Sequence, residues 1–77
     1  MNREINIHGL TERDAIKMLE KFIVECSNDV KEIRVIHGFH SGDVLKEMVR
    51  NPRKLRSNRI RRRKLSMNQG ETILELY

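Results

Sequence analysis

At 77 residues the chain has room for one domain with a thin core, because a domain of this length buries only about 60–65% of the surface its unfolded chain exposes. Its single cysteine, Cys26, excludes an internal disulfide framework and, on an apolar helix face, reads as a buried thiol in a reducing compartment. The formal net charge is +5, no apolar run approaches the ~20 residues of a membrane span, and the charged start Met1–Glu4 is not that of a signal peptide, so a cytoplasmic domain without membrane contact is expected.

Ile5 and Ile7 alternate with Glu4 and Asn6, which predicts a short half-buried strand. His8-Gly9-Leu10 breaks the alternation, and Thr11 supplies a helix N-cap, with Asp14 three residues on to suit the helix dipole. Ala15, Met18, Leu19, Phe22, Ile23 and Cys26 then form one apolar stripe at helical spacing, ended by Ser27-Asn28-Asp29. Ile33, Val35 and Ile36 predict a second strand, apolar enough for an interior position. The run His37-Gly38-Phe39-His40-Ser41-Gly42 is a loop, after which Asp43 opens a shorter helix with Leu45, Met48 and Val49 on its apolar face. That helix stops near Asn51, because the residue before Pro52 is pushed out of the α region. Arg53–Asn58 is a basic connection. A third strand passes through Ile60, where imperfect alternation allows a bulge or a short strand, and Met67–Gly70 turns the chain into a last strand, Glu71–Leu76.

The order β-α-β-α-β-β, over residues 1–77 as one domain, implies an α/β fold. Strand–helix–strand connections favour parallel pairing and the final turn favours an antiparallel strand, giving a two-layer βαβαββ sandwich: a four-stranded mixed sheet with both helices on one face.

Charge is segregated along the chain. Nine of the sixteen Lys and Arg residues lie between Arg50 and Lys64, a stretch without a single acid, and the remainder is net negative. Arg53, Lys54, Arg56, Arg59, Arg61, Arg62, Arg63 and Lys64 therefore make a polyanion, DNA or RNA, the expected partner, with a solvated surface hairpin as the alternative. The tract lacks the apolar face of an interfacial helix, so a membrane surface is not expected.

Ile7-His8-Gly9 recurs as Ile36-His37-Gly38, each copy ending a strand and preceding a helix. Ligands of open α/β sheets bind outside the carboxyl ends of parallel strands, so neighbouring parallel strands would bring the two histidines to one edge. Gly38 and Gly42 let the backbone approach a phosphate, and the loop feeds a helix N-terminus with free N–H groups. Ser41 can donate to a phosphate or cap the helix, and Phe39 can stack on an unpaired base or pack on the domain. His8, His37 and His40 are also a conceivable metal set, but His37-x-x-His40 is only a pair at loop spacing and no cysteine or acid completes it, so no metal site is expected.

Ile5-Asn6-Ile7-His8-Gly9-Leu10-Thr11 resembles the opening Leu-Asp-x-His-Gly-Leu motif of Smr (small MutS-related) domains. Val35-Ile36-His37-Gly38-Phe39-His40-Ser41-Gly42 followed by Leu45 resembles their central Ile-His-Gly-Lys-Gly-x-Gly loop, and Gln69–Leu76 resembles their terminal glycine turn and last strand. The resemblance spans nearly the whole chain in order. It implies a fold like the C-terminal domain of bacterial translation initiation factor three, binding to DNA or RNA, and endonuclease activity in some members. Three positions depart from the pattern. Asn6 stands where the family has an aspartate linked to cleavage, and an amide neither takes up a proton nor readily binds a divalent ion. Phe39 replaces a lysine and His40 a glycine.

Two functions follow. The first is an endonuclease in which His8 and His37 are the catalytic acid and base, the loop holds the phosphate, and no cofactor beyond an optional divalent cation is needed. The second is a binding module for structured or ribosome-associated nucleic acid, whose contacts are Asn6, Gly38, Phe39, His40, Ser41, Gly42 and the basic tract. A domain that binds an acidic protein through that tract is the remaining alternative.

Overall fold

A computed structural model describes residues 2–39 and 43–77. The elements run β1 (Asn2–Asn6), α1 (Glu12–Glu25), β2 (Glu32–Ile36), α2 (Val44–Arg50), β3 (Ile60–Leu65) and β4 (Glu71–Leu76). They form one four-stranded sheet in the order β1-β2-β4-β3. β1 and β2 pair in parallel, with Ile5 beside Val35 and Asn6 beside Ile36. β4 is antiparallel to both its neighbours and so divides β2 from β3.

α1 begins as its sequence dictates. The Thr11 hydroxyl accepts the Asp14 N–H at 3.2 Å, and Glu12 and Asp14 place negative charge in the first turn. Its buried residues are Ala15, Leu19 and Ile23, with Cys26 just beyond its end. Met18, expected on the same stripe, is 43% exposed, whereas Ile16 is packed against the core. At ~100° per residue, Ala15, Cys26, Leu19 and Ile23 define an arc whose centre lies nearer Ile16 than Met18.

One sheet face carries Ile33, Val35, Thr72, Leu74 and Leu76, all buried beneath the two helices, with Ile5 of β1 half-buried beside them. α2 contributes Leu45, Met48 and Val49. Val30 and Leu55, in connections rather than elements, are also fully buried in the core. The third strand is longer than the alternation of Ile60 and Leu65 indicates, and a register shift between Ile60 and Arg62 leaves Arg61 as the extra residue of a bulge.

The other sheet face is open and charged in both signs. Arg34 pairs with Glu4 at 3.1 Å and lies 3.9 Å from Glu71. Lys64 reaches Glu32 at 3.3 Å and Glu75 at 3.4 Å, and Glu75 also meets Arg61 and Arg62. These contacts hold the Glu75 carboxyl below its ordinary range, chiefly through Arg62, and the Lys64 ammonium above its own, chiefly through Glu32.

Candidate nucleic-acid interface at the ends of the parallel strands

The parallel pair continues one residue past β1: the Ile7 N–H donates to Ile36 O at 2.9 Å. That bond sets His8-Gly9 beside His37-Gly38 at the carboxyl edge of the sheet. Gly38 has φ +78°, a left-handed conformation that a side chain resists, and a Cβ there would stand 2.8 Å from His8 Cδ2. The second loop is also fastened to the other side of the sheet, since the N–H groups of His37 and Gly38 both donate to Gly70 O, at 2.9 and 3.0 Å.

His8 is exposed, and its backbone N–H donates to Asn6 Oδ1 at 2.9 Å. The Asn6 side chain thus closes a local turn that aims the His8 segment, a task for which a carbonyl oxygen suffices.

His37 has a different environment. It is 1% exposed, with Nε2 2.9 Å from the Thr72 hydroxyl and Nδ1 3.3 Å from Gly38 O. A carbonyl can only accept, so Nδ1 carries the proton and Nε2 accepts from the Thr72 O–H. The Thr72 oxygen in turn accepts the Arg50 Nε–H at 3.1 Å. Burial, and then the nearby Arg50 and Lys46 charges, push the His37 imidazole below its ordinary value and keep it neutral. Two imidazoles facing a ligand were expected; the sheet instead presents His8 and turns His37 inward as a strut, because the alternation of β2 points residue 37 to the same face as Ile33 and Val35.

Phe39 is 60% exposed and lies over Gly70, where a Cβ would meet the ring at 2.9 Å. The Gly70 N–H bonds Asn68 Oδ1 at 2.9 Å, which shapes the turn beneath the ring. His40, Ser41 and Gly42 lie outside the described residues. The helix they lead into has only seven residues, and Glu47 stands in its first turn, so it offers an anion little at its N-terminus.

The basic tract disperses on folding. The Arg59 guanidinium donates to Ile23 O, Cys26 O, Ser27 O and Val30 O, serving the carboxyl end of α1, which has no basic residue in its own last turn. Arg63 does the same for α2, donating to Val49 O at 2.8 Å and to Leu55 O, and its burial pulls the guanidinium below its usual value. Both expected nucleic-acid contacts are therefore occupied by backbone carbonyls. Arg61, Arg62 and Lys64 share Glu75 on the open face, and Lys54 pairs with Glu12 at 3.2 Å. Arg56 Nε donates to Arg53 O, and Arg53 itself is exposed. An acid-free segment is read from chain neighbours, whereas strand pairing supplies acids from β2 and β4.

Arg50, the first cation of the basic tract, and Lys46, which the sequence reading did not include, flank a groove of about 430 Å³ between α2 and the β3–β4 turn, completed by Leu65, Ser66, Met67 and Gln69. Their i,i+4 spacing, which puts both cations on one helix face, was the available signal. Among the described residues no cluster of three His, Cys, Asp or Glu side chains is placed to hold a metal ion, and no helix is long and apolar enough to cross a membrane.

Comparison with known proteins agrees with this geometry. The structure matches the crystal structure of the Smr domain of Thermus thermophilus MutS2 with a TM-score of 0.83 at 20% identity, over 97% of this chain and 98% of that one. At that identity the match establishes the shared fold. Curated proteins gave no match. The family model for the Smr domain matches residues 5–72, which take in both His-Gly strand ends, the turn at Gly70 and Thr72. From the first strand to the last, the chain belongs to the Smr domain family.

Proposed function

We propose that this Smr domain binds nucleic acid through the carboxyl edge of its parallel strands, and that His8 is the residue available for cleavage there. The observation that carries the reading is the convergence of His8, Gly38 and Phe39 with the Lys46–Arg50 helix face at one end of the sheet, while most of the linear basic tract is engaged elsewhere. Half-buried cations beside exposed apolar groups suit a strand that carries both phosphates and bases.

A phosphodiesterase is the second reading. It is favoured by an exposed imidazole lodged beside a left-handed glycine, where its ring nitrogens are free to give or take a proton. His37, neutral and buried, positions the loop in that reading and does not touch the phosphate. Asn6 orients the His8 segment but cannot take up a proton.

The test is incubation of the domain with labelled single-stranded RNA, duplex DNA and branched DNA, with and without Mg²⁺ or Mn²⁺, scoring binding and cleavage together. Binding that weakens steeply with salt is expected. Cleavage that disappears in His8→Ala while binding persists assigns the nuclease reading. Binding without cleavage leaves a recognition module, and failure to bind any of the three overturns the proposal.

A further inference from the structure

The groove between α2 and the β3–β4 turn combines features that a duplex backbone alone does not require. Its lining holds two cations and no acid, with Leu65 74% exposed and Met67 fully exposed. Phe39, also exposed, stands over Gly70, the neighbour of the groove residue Gln69. Exposed apolar side chains grouped around paired cations mark a binding surface. A volume of about 430 Å³ lies within the range of small-ligand sites.

The cations are unequal. Arg50 is held by its Nε–H on the Thr72 hydroxyl, itself fixed by buried His37, so the guanidinium is anchored at one edge. Its terminal nitrogens have no protein acceptor among the described residues and remain for a ligand, in the forked geometry that suits phosphate. Lys46 lies 3.4 Å from the exposed Asp43 carboxylate, a weak solvent-screened pair that a phosphate can displace. The Phe39 ring rests against Gly70 and is still 60% exposed, which leaves surface on which a base can stack.

We infer that this groove takes an unpaired nucleotide of a single strand, its phosphate held by Arg50 and Lys46 and a base stacked on Phe39. The inference rests on the nucleic-acid reading above and narrows it to strands or regions whose bases are not paired. A duplex presents its phosphates but not the faces of its bases, so it can use the cations and not the ring.

The full chain is titrated by fluorescence anisotropy with a labelled single-stranded RNA, a single-stranded DNA and a hairpin duplex of matched length. The two strands bind more tightly than the duplex. Phe39→Ala weakens strand binding by about tenfold, as expected for one stacking contact, and leaves duplex binding unchanged. Lys46→Gln weakens strand and duplex alike and reduces the salt slope by about one. A 2-aminopurine in the strand is quenched on binding to the wild type and less so on binding to Phe39→Ala; Phe39→Leu, which keeps an apolar side chain, separates ring stacking from loss of packing by behaving like Phe39→Ala. Equal or tighter duplex binding, or a Phe39→Ala effect shared by strand and duplex, overturns the groove assignment and leaves nucleic-acid binding intact. Failure of all three polynucleotides to bind overturns both.

Discussion

The His8 ring occupies the space a side chain at Gly38 would need: a Cβ on Gly38 would stand 2.8 Å from His8 Cδ2. Gly9, on the other strand end, shares the left-handed conformation with φ +83° but would meet nothing within 4 Å. The pair separates backbone strain from contact. Gly9→Ala should cost about 1–2 kcal/mol from the left-handed backbone alone. Gly38→Ala should cost more and should also move the His8 ring resonances in an NMR spectrum. Urea denaturation gives the first comparison. An equal loss in the two variants would show that His8 yields freely.

Stability should fall as pH falls below neutrality because of His37. Its folded pKa is depressed by burial, so below the ordinary value near 6.5 the unfolded chain takes up a proton that the folded chain resists. The loss begins near that value and continues down to the depressed one. Urea midpoints measured from pH 7.5 to 5 should decline, and His37→Gln, less stable at pH 7.5, should show a flatter profile. Glu75 and Asp29, whose pKa values are also depressed, add their own losses at lower pH, where unfolded carboxylates protonate.

Arg59 and Arg63 should behave as structural residues. Each donates to backbone carbonyls near a helix end, and hydrogen bonds to a charged donor are worth about 1.5–3 kcal/mol. At about 4–8 °C per kcal/mol in a domain of this size, Arg59→Ala and Arg63→Ala should each lower the melting temperature by roughly 6–24 °C. Arg59→Lys cannot restore the fork and should recover little. Arg53→Ala, at an exposed side chain, should change stability by less than about 0.5 kcal/mol.

Leu55 is fully buried within a segment of otherwise basic and polar character. Leu55→Ala should cost about 2–4 kcal/mol through lost burial and the cavity left behind. Urea or thermal unfolding measures it directly. A cost below about 1 kcal/mol would show that the connection collapses into the space.

The sequence by itself determined the elements, because each rests on local chemistry. Thr11 caps α1, Pro52 follows the end of α2, and Glu71–Leu76 has the alternation of a strand with one face buried. It also placed His8 and His37 at one edge, since two strand–turn–helix units in series pair in parallel. The Ile-His-Gly repeat did not distinguish the two imidazoles. That was decided by β4, which lies beside β2, brings Thr72 to His37 and covers it, while β1 remains at the sheet edge with His8 exposed. The basic tract was legible as composition and misleading as a surface. A cationic side chain's partners depend on which carbonyls and carboxylates the fold brings within ~3 Å: Arg59 meets Cys26 O 33 residues away and Lys64 meets Glu32 32 residues away, while Arg63 meets carbonyls 8 and 14 residues away that only the turn of the chain after α2 aims at it.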